Sequence, residues 1–248
     1  MRLFHPFLIA LQFLTRFPVH LPVIPDARLV GRSLLYYPLV GLVLGLVLAA
    51  LNWTLGNAPG LLRAALLLAA WVLLTGALHL DGLADSADAW VGGLGDRERT
   101  LAIMKDPCCG PAAVVTLVVV LLVKFSALVQ LASARNWAAL VLAPVLGRIA
   151  LQALFLTTPY VRPGGLGANL AQYFPRRNCA IVMLVSLIVI PLVAGSHGFW
   201  MILAVTGTML LLRSMMIRRI GGMTGDTAGA LVTLTEVTAL MTAALLQP

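Results

Sequence analysis

The chain has 248 residues, 60% of them hydrophobic and only 10% charged, with a formal net charge of +8 and a mean hydropathy of +0.98. An ordinary soluble domain carries about 25% charged residues, so composition excludes that class. Apolar runs near or beyond about 18 residues indicate an all-α, polytopic transmembrane helix bundle. The alternating strand-length pattern of a membrane β-barrel is absent from the sequence.

In chain order, residues 3–17 place Phe4, Phe7, Leu8, Leu11 and Leu14 on one face, which predicts a short amphipathic helix lying in the membrane interface. Pro18, Pro22 and Pro25 end it in an irregular link. Spans are expected near 34–55, 61–80, 111–131, 137–158, 179–195, 198–212 and 228–247. That makes about seven, with six or eight also compatible, because the fifth and sixth are short and meet at Gly195–Gly198. No internal repeat or linker divides residues 1–248, so a single membrane domain is expected. Cys108, Cys109 and Cys179 form no CxxC pair and no Cys/His cluster, so neither zinc nor a disulfide framework is indicated.

The basic residues test the count. Arg2, Arg16, Arg28, Arg32, Arg97, Arg99, Lys105, Arg162, Arg176, Arg177, Arg213, Arg218 and Arg219 all fall on one side of a seven-span arrangement. They are 13 of the 17 basic residues, against Arg63 and Arg135 on the other side. The positive-inside rule then places the N-terminus, residues 81–110 and residues 213–227 in the cytoplasm, and the C-terminus across the membrane. A cell inner membrane is the expected location. Topology explains the positive charge, so nucleic acid is not an expected partner.

Three motifs carry chemistry. The first is His79-Leu-Asp-Gly-Leu-Ala-Asp-Ser-Ala-Asp88. Asp81, Asp85 and Asp88 sit at i, i+4 and i+7, within roughly a 60° arc of one helix face. Like charges so placed repel, and a divalent cation reverses the sign. Carboxylates at a membrane boundary are costly and usually functional, and hard oxygens suit Mg²⁺, which completes its shell with water and phosphate. His79 lies off that face and reads as a packing residue.

The second motif is the mixed run Asp96–Arg99, which reads alone as solvated loop, followed by Lys105-Asp106-Pro107-Cys108-Cys109-Gly110 at the entrance of the third span. A helix N-terminus with a nearby Lys can hold a phosphate. The third is Gly221-Gly222-Met223-Thr224-Gly225-Asp226-Thr227. It is either an anion-binding nest whose Asp226 adds a metal ligand or a glycine-rich turn with Asp226 or Thr227 as helix cap. Arg148 and Glu236 fall near the middle of expected spans. Each must face the bundle interior, where they pair with each other or Arg148 reaches a substrate phosphate. Together these features favour a Mg²⁺-dependent transferase acting on a diphosphate substrate.

The same residues closely resemble the cobalamin synthase, or adenosylcobinamide-GDP ribazoletransferase, family. The resemblance rests on His79–Asp88, on Arg97-Glu-Arg with Ile103-Met-Lys-Asp and Gly110, on Gly221-Gly-Met-Thr-Gly-Asp226 with Glu236 ten residues later, and on Phe13-Leu-Thr-Arg-Phe-Pro18. It spans the whole chain. It implies transfer of the adenosylcobinamide-phosphate group from adenosylcobinamide-GDP to α-ribazole or its 5′-phosphate, with release of GMP and a requirement for Mg²⁺. On this resemblance Asp81, Asp85, Asp88 and Asp226 are the metal-binding and catalytic set. Lys105, Asp106, Arg148, Gly221, Gly222, Thr224, Gly225 and Glu236 are the substrate-binding candidates. One departure stands out. Where the family has Arg-Asp-Ser-x-x-Gly, this chain has Lys105-Asp-Pro-Cys-Cys-Gly110, which keeps a point charge but loses the bidentate fork of arginine. The rival readings are a CDP-alcohol phosphotransferase, whose full signature is missing, and a non-enzymatic corrinoid transporter built on Arg148 and Glu236. The sequence does not specify an oligomeric state.

Overall fold

The computed structural model describes residues 5–21, 25–133, 137–165 and 167–247; Arg2, Phe4, Pro22 and Arg135 lie outside them. The described residues are helical apart from turns and one isolated parallel bridge, Tyr160 with Met223. Helix α1 is His5–Leu14. Helix α2, Ala27–Ser33, runs through a 3-10 turn at Leu34–Tyr36 into α3, Tyr37–Thr54. Then follow α4 Gly60–Thr75, α5 Leu78–Gly92, α6 Arg97–Ile103 and α7 Pro111–Ser133. The chain closes with α8 Trp137–Thr157, α9 Ala168–Gln172, α10 Arg176–Ile220 and α11 Gly225–Leu245.

Five helical stretches are long and apolar enough to cross a membrane: Ala27–Thr54, Pro111–Ala132, Trp137–Thr157, Arg176–Ile220 and Gly225–Leu245. The pair α4 and α5 supplies a sixth, bent by 88°. Helix α10 would be about 68 Å long if straight, yet it folds back on itself. Gly195 takes φ 58° and ψ −142°, a backbone state open to glycine. Arg176 near its start donates to Leu156 O (2.6 Å), while Arg213 near its end donates to Thr157 O (2.7 Å). Both ends therefore meet at the same turn of α8. The arms 176–194 and 196–220 are therefore antiparallel helices that meet at Gly195, the place where the fifth and sixth apolar runs are expected to join.

Helix α8 is the hub and is buried along almost its whole length. It receives α3 through Gly41 and Gly45. A Cβ on Gly41 would come within 2.6 Å of Pro144 O, and one on Gly45 within 2.6 Å of Val141 Cα. Small residues four apart permit this close helix approach in lipid. Helix α11 packs on the other side of α8, and α7 and the arms of α10 face outward with exposed Val, Leu and Ile.

Two expectations need correction. The second span does not run to residue 80. It stops at Thr75 because Gly76 (φ 60°) and Ala77 (φ 58°) are both left-handed, and the carboxylates stand on α5, beyond that elbow. The amphipathic helix is present as α1, but its most buried residues are Pro6, Ile9, Ala10 and Leu14, docked on α2 and α3, while Phe7, Leu8 and Leu11 are only partly covered. The three cysteines are free thiols, with Cys108 and Cys109 exposed and Cys179 buried.

Candidate active site

The site forms where α5 crosses the start of α11. Gly82, inside the Asp-Gly-Leu-Ala-Asp motif, makes the crossing possible. A Cβ there would fall 2.6 Å from Asp226 O, and one on Gly229 would touch His79 Cα at 3.4 Å. The helices thus pack backbone to backbone, and Asp81 and Asp85 are brought beside Asp226, 145 and 141 residues later in sequence.

The loop after α8 closes the other side. Met223 N donates to Pro159 O (2.8 Å) and Val161 N donates to Met223 O (2.9 Å). This short parallel pairing explains Gly222, because a side chain there would run into Pro159 O. It also positions Arg162, whose Nη1 donates to Asp226 Oδ2 at 2.6 Å. The result is a cleft of about 620 Å³ lined by Asp81, Asp85, Lys105, Asp106, Arg162 and Asp226, with Tyr160 and Gly225 also lining it. Burial holds the Tyr160 phenol above its ordinary pKa.

Each remaining candidate has a definite place. Gly221 ends α10 in the left-handed conformation, φ 77°. Thr224 is the N-cap of α11, reciprocally bonded with Thr227 in a capping box, so the cap is neither Asp226 nor Thr227 itself. Its side chain also donates to Asp226 Oδ2 (3.4 Å). Gly225 has open space where a side chain would stand. The 221–227 stretch is therefore a capped turn that releases Asp226 into the cleft.

Asp88 does something different from its neighbours. Its carboxylate accepts from Gly110 N (2.5 Å), just before α7, and from Ala113 N (2.9 Å) in its first turn. Asp88 thus caps the α7 N-terminus at the place where a phosphate beside Lys105 is expected. Each Asp88 oxygen accepts one backbone amide there, a capping contact in addition to its place on the Asp81–Asp85 face. Asp106 accepts from Cys108 N (2.9 Å), and that bond holds its carboxyl below the usual carboxylate range. The 96–99 run is not open loop: Asp96 caps α6 by accepting from Arg99 N (2.6 Å), and Arg97 Nε donates to Ile220 O (3.0 Å).

Arg148 and Glu236 do not reach the cleft. They pair with each other, and Lys124 Nζ donates to Glu236 Oε2 at 2.9 Å. Arg148 is 0%, Glu236 3% and Lys124 5% exposed, so the cluster is sealed within α7, α8 and α11. Lys124 also stands 3.6 Å above the Trp71 ring, and Arg148 Nη2 lies 3.3 Å from His79 Nε2, which can only accept from it. This closed pairing removes the feature that a transport reading relies on.

Sequence reasoning missed Arg162 and Tyr160 as cleft residues. Arg162 entered only as one positive charge in a loop, and no periodicity links it to Asp226, 64 residues later. The one available signal was the Pro-Gly-Gly that follows it, which marks a loop able to approach a ligand.

A family profile described as cobalamin-5-phosphate synthase matches residues 6–244. A protein of Pseudomonas fluorescens named adenosylcobinamide-GDP ribazoletransferase is 58% identical over 240 residues, covering 97% of this chain and 99% of its own. Proteins of the same name from Pseudomonas entomophila and Pseudomonas putida are 58% and 59% identical, each over 97% of this chain and 99% and 98% of their own. No solved structure matches the chain.

Proposed function

The chain belongs to the cobalamin-5-phosphate synthase family, and from that premise we propose that the cleft between α5 and α11 transfers the adenosylcobinamide-phosphate group from adenosylcobinamide-GDP to α-ribazole or its 5′-phosphate. A ribazole hydroxyl forms a new bond to the phosphorus next to the corrinoid arm. The bond from that phosphorus to the bridging oxygen breaks, and GMP leaves with that oxygen. The observation that carries this reading is the charge of the cleft. Four carboxylates, Asp81, Asp85, Asp106 and Asp226, face two cations, Lys105 and Arg162, a deficit that one divalent cation offsets.

The donor set fits Mg²⁺ by its chemistry. Among the described residues no three His, Cys, Asp or Glu close around a metal, and Mg²⁺ needs no such cage, since one or two carboxylates with water and substrate phosphate suffice. Asp85 and Asp226 would hold it. A divalent cation held by these carboxylates would supply charge neutralisation to the diphosphate. Arg162 fixes the Asp226 carboxylate and offers its remaining donors to a phosphate oxygen. Lys105 adds a second positive charge at the cleft mouth. Asp81 lines both this cleft and the cavity behind it and makes no ion pair among the described residues. It is the carboxylate placed to take the hydroxyl proton.

The basic-residue asymmetry supports an inner-membrane protein with this cleft on the cytoplasmic side. Trp53 and Trp137 stand exposed together at the opposite end of the bundle, as interfacial aromatics do. The test is GMP release by purified Asp85→Asn protein given both substrates and Mg²⁺. A loss of about 100-fold or more is expected; full activity of the variant would remove the metal-site assignment.

A further inference from the structure

The end of the bundle away from the cleft carries a second pocket, of about 440 Å³, between the close of α3 and the start of α4. Ala49, Asn52, Trp53, Gly56, Arg63 and Trp137 line it, and none of them lines the cleft. Small-molecule sites span roughly 300–1,000 Å³. Arg63 is the one charged residue of the pocket. An arginine that snorkels keeps its head in water, whereas Arg63 is only 9% exposed. It makes no ion pair among the described residues. A buried cation without a counter-charge is costly.

The guanidinium is also short of acceptors. Nη1 donates to Gly56 O at 2.9 Å, and Nε is sealed without a partner. Asn52, 8% exposed, stands beside the same pocket. Arg63 Nη2 and Asn52 Nδ2 make no hydrogen bond among the described residues, yet neither is sealed, so each keeps accessible surface in a residue that lines the pocket. The backbone adds to the positive field. Helix α4 follows Pro59, which gives no side-chain cap, and no acidic residue stands in its first turn. Arg63 therefore puts its charge at the positive end of a 16-residue helix. Helix N-termini attract anions, and here one anion would answer the guanidinium, the Asn52 amide and the helix end together.

We propose that this pocket holds the phosphate of a phospholipid headgroup on the membrane face opposite the cleft, with Arg63 Nη2 and Asn52 Nδ2 donating to its oxygens. The surroundings favour a lipid over free phosphate. Trp53 is 82% and Trp137 59% exposed, and tryptophans sit at headgroup level. Leu61 and Leu62, just before Arg63, are exposed and offer acyl chains an apolar surface. Basic pockets between spanning helices are recurrent sites for lipid headgroups. The site is independent of the transfer reading, and a lipid bound there ties the turn between α3 and α4 to the interface.

The test is native mass spectrometry of detergent-purified protein titrated with dioleoyl phosphatidylglycerol, dioleoylglycerol or inorganic phosphate. Wild-type protein should hold phosphatidylglycerol about tenfold more tightly than dioleoylglycerol, which has the same chains and no phosphate. Arg63→Met should weaken phosphatidylglycerol binding about tenfold, as loss of a charge-assisted bond does, and leave dioleoylglycerol unaffected. Asn52→Leu keeps the guanidinium and should weaken the same binding severalfold, so it carries the comparison if Arg63→Met does not fold. Inorganic phosphate at matched concentration should not displace the lipid. Phosphatidylglycerol binding equal in wild-type protein and in the folded variants overturns the inference, and so does equal binding of the two lipids by wild-type protein. Displacement by inorganic phosphate assigns the pocket to a free anion and overturns the lipid assignment.

Discussion

Asp88 shows how one residue can share a helix face with catalytic candidates and still serve another purpose. Its spacing from Asp81 and Asp85 is that of a common face, but it stands near the C-terminal end of α5, where the start of α7 comes within reach. Its two oxygens answer two amides that a helix N-terminus otherwise leaves unpaired. Replacing it with Ala should lower stability by about 0.5–2 kcal/mol, as loss of a helix cap does, and Asn, which keeps one acceptor oxygen, should lose less. Denaturant titration in mild detergent reads this directly. Activity per folded molecule should fall far less in Asp88→Asn than in Asp85→Asn; equal losses would return Asp88 to the metal-binding set. The sequence contains the carboxylates and their spacing, but it does not reveal which amides or cations wait opposite each one. Arg162 is the converse case. It is an ordinary loop arginine in sequence and a direct partner of Asp226 in space.

At the level of elements, α7, α8 and α11 are joined at mid-length by Lys124, Arg148 and Glu236. Two cations share one carboxylate inside the bundle. Removing the carboxylate leaves both cations buried and unpaired, which costs about 3–5 kcal/mol. Removing Lys124 leaves the Arg148–Glu236 pair balanced. Glu236→Gln should therefore destabilise the protein much more than Lys124→Met, measured as the detergent concentration at half-unfolding. Equal effects would show that the three charges do not act as this unit. The intramembrane charges were legible as inward-facing, since lipid leaves no alternative, and the Arg148–Glu236 pairing was one of two open readings. The elbow between α4 and α5 was not legible. Gly76 hints at a helix end, but Ala77 in a left-handed state has no sequence signature, because alanine there is held by its surroundings. The reversal at Gly195 was marked, since two glycines bracket a short polar interruption between apolar runs.

For the whole molecule, apolar length was enough to give a polytopic helical bundle, because membrane thickness constrains the length of its helices. The fold gathers three distant segments, 81–106, 160–165 and 225–226, at one end of that bundle, and the loops near Gly56, Arg63 and Trp137 at the other. The first of these ends carries the acidic cleft to which the transfer is assigned. The measurement that tests this most directly uses purified protein with adenosylcobinamide-GDP, α-ribazole 5′-phosphate and Mg²⁺, following GMP and the corrinoid product together. The two should appear in equal amounts, only when both substrates are present, and stop on chelation of the metal. GMP released without the ribazole substrate, or no product with all components present, would contradict it.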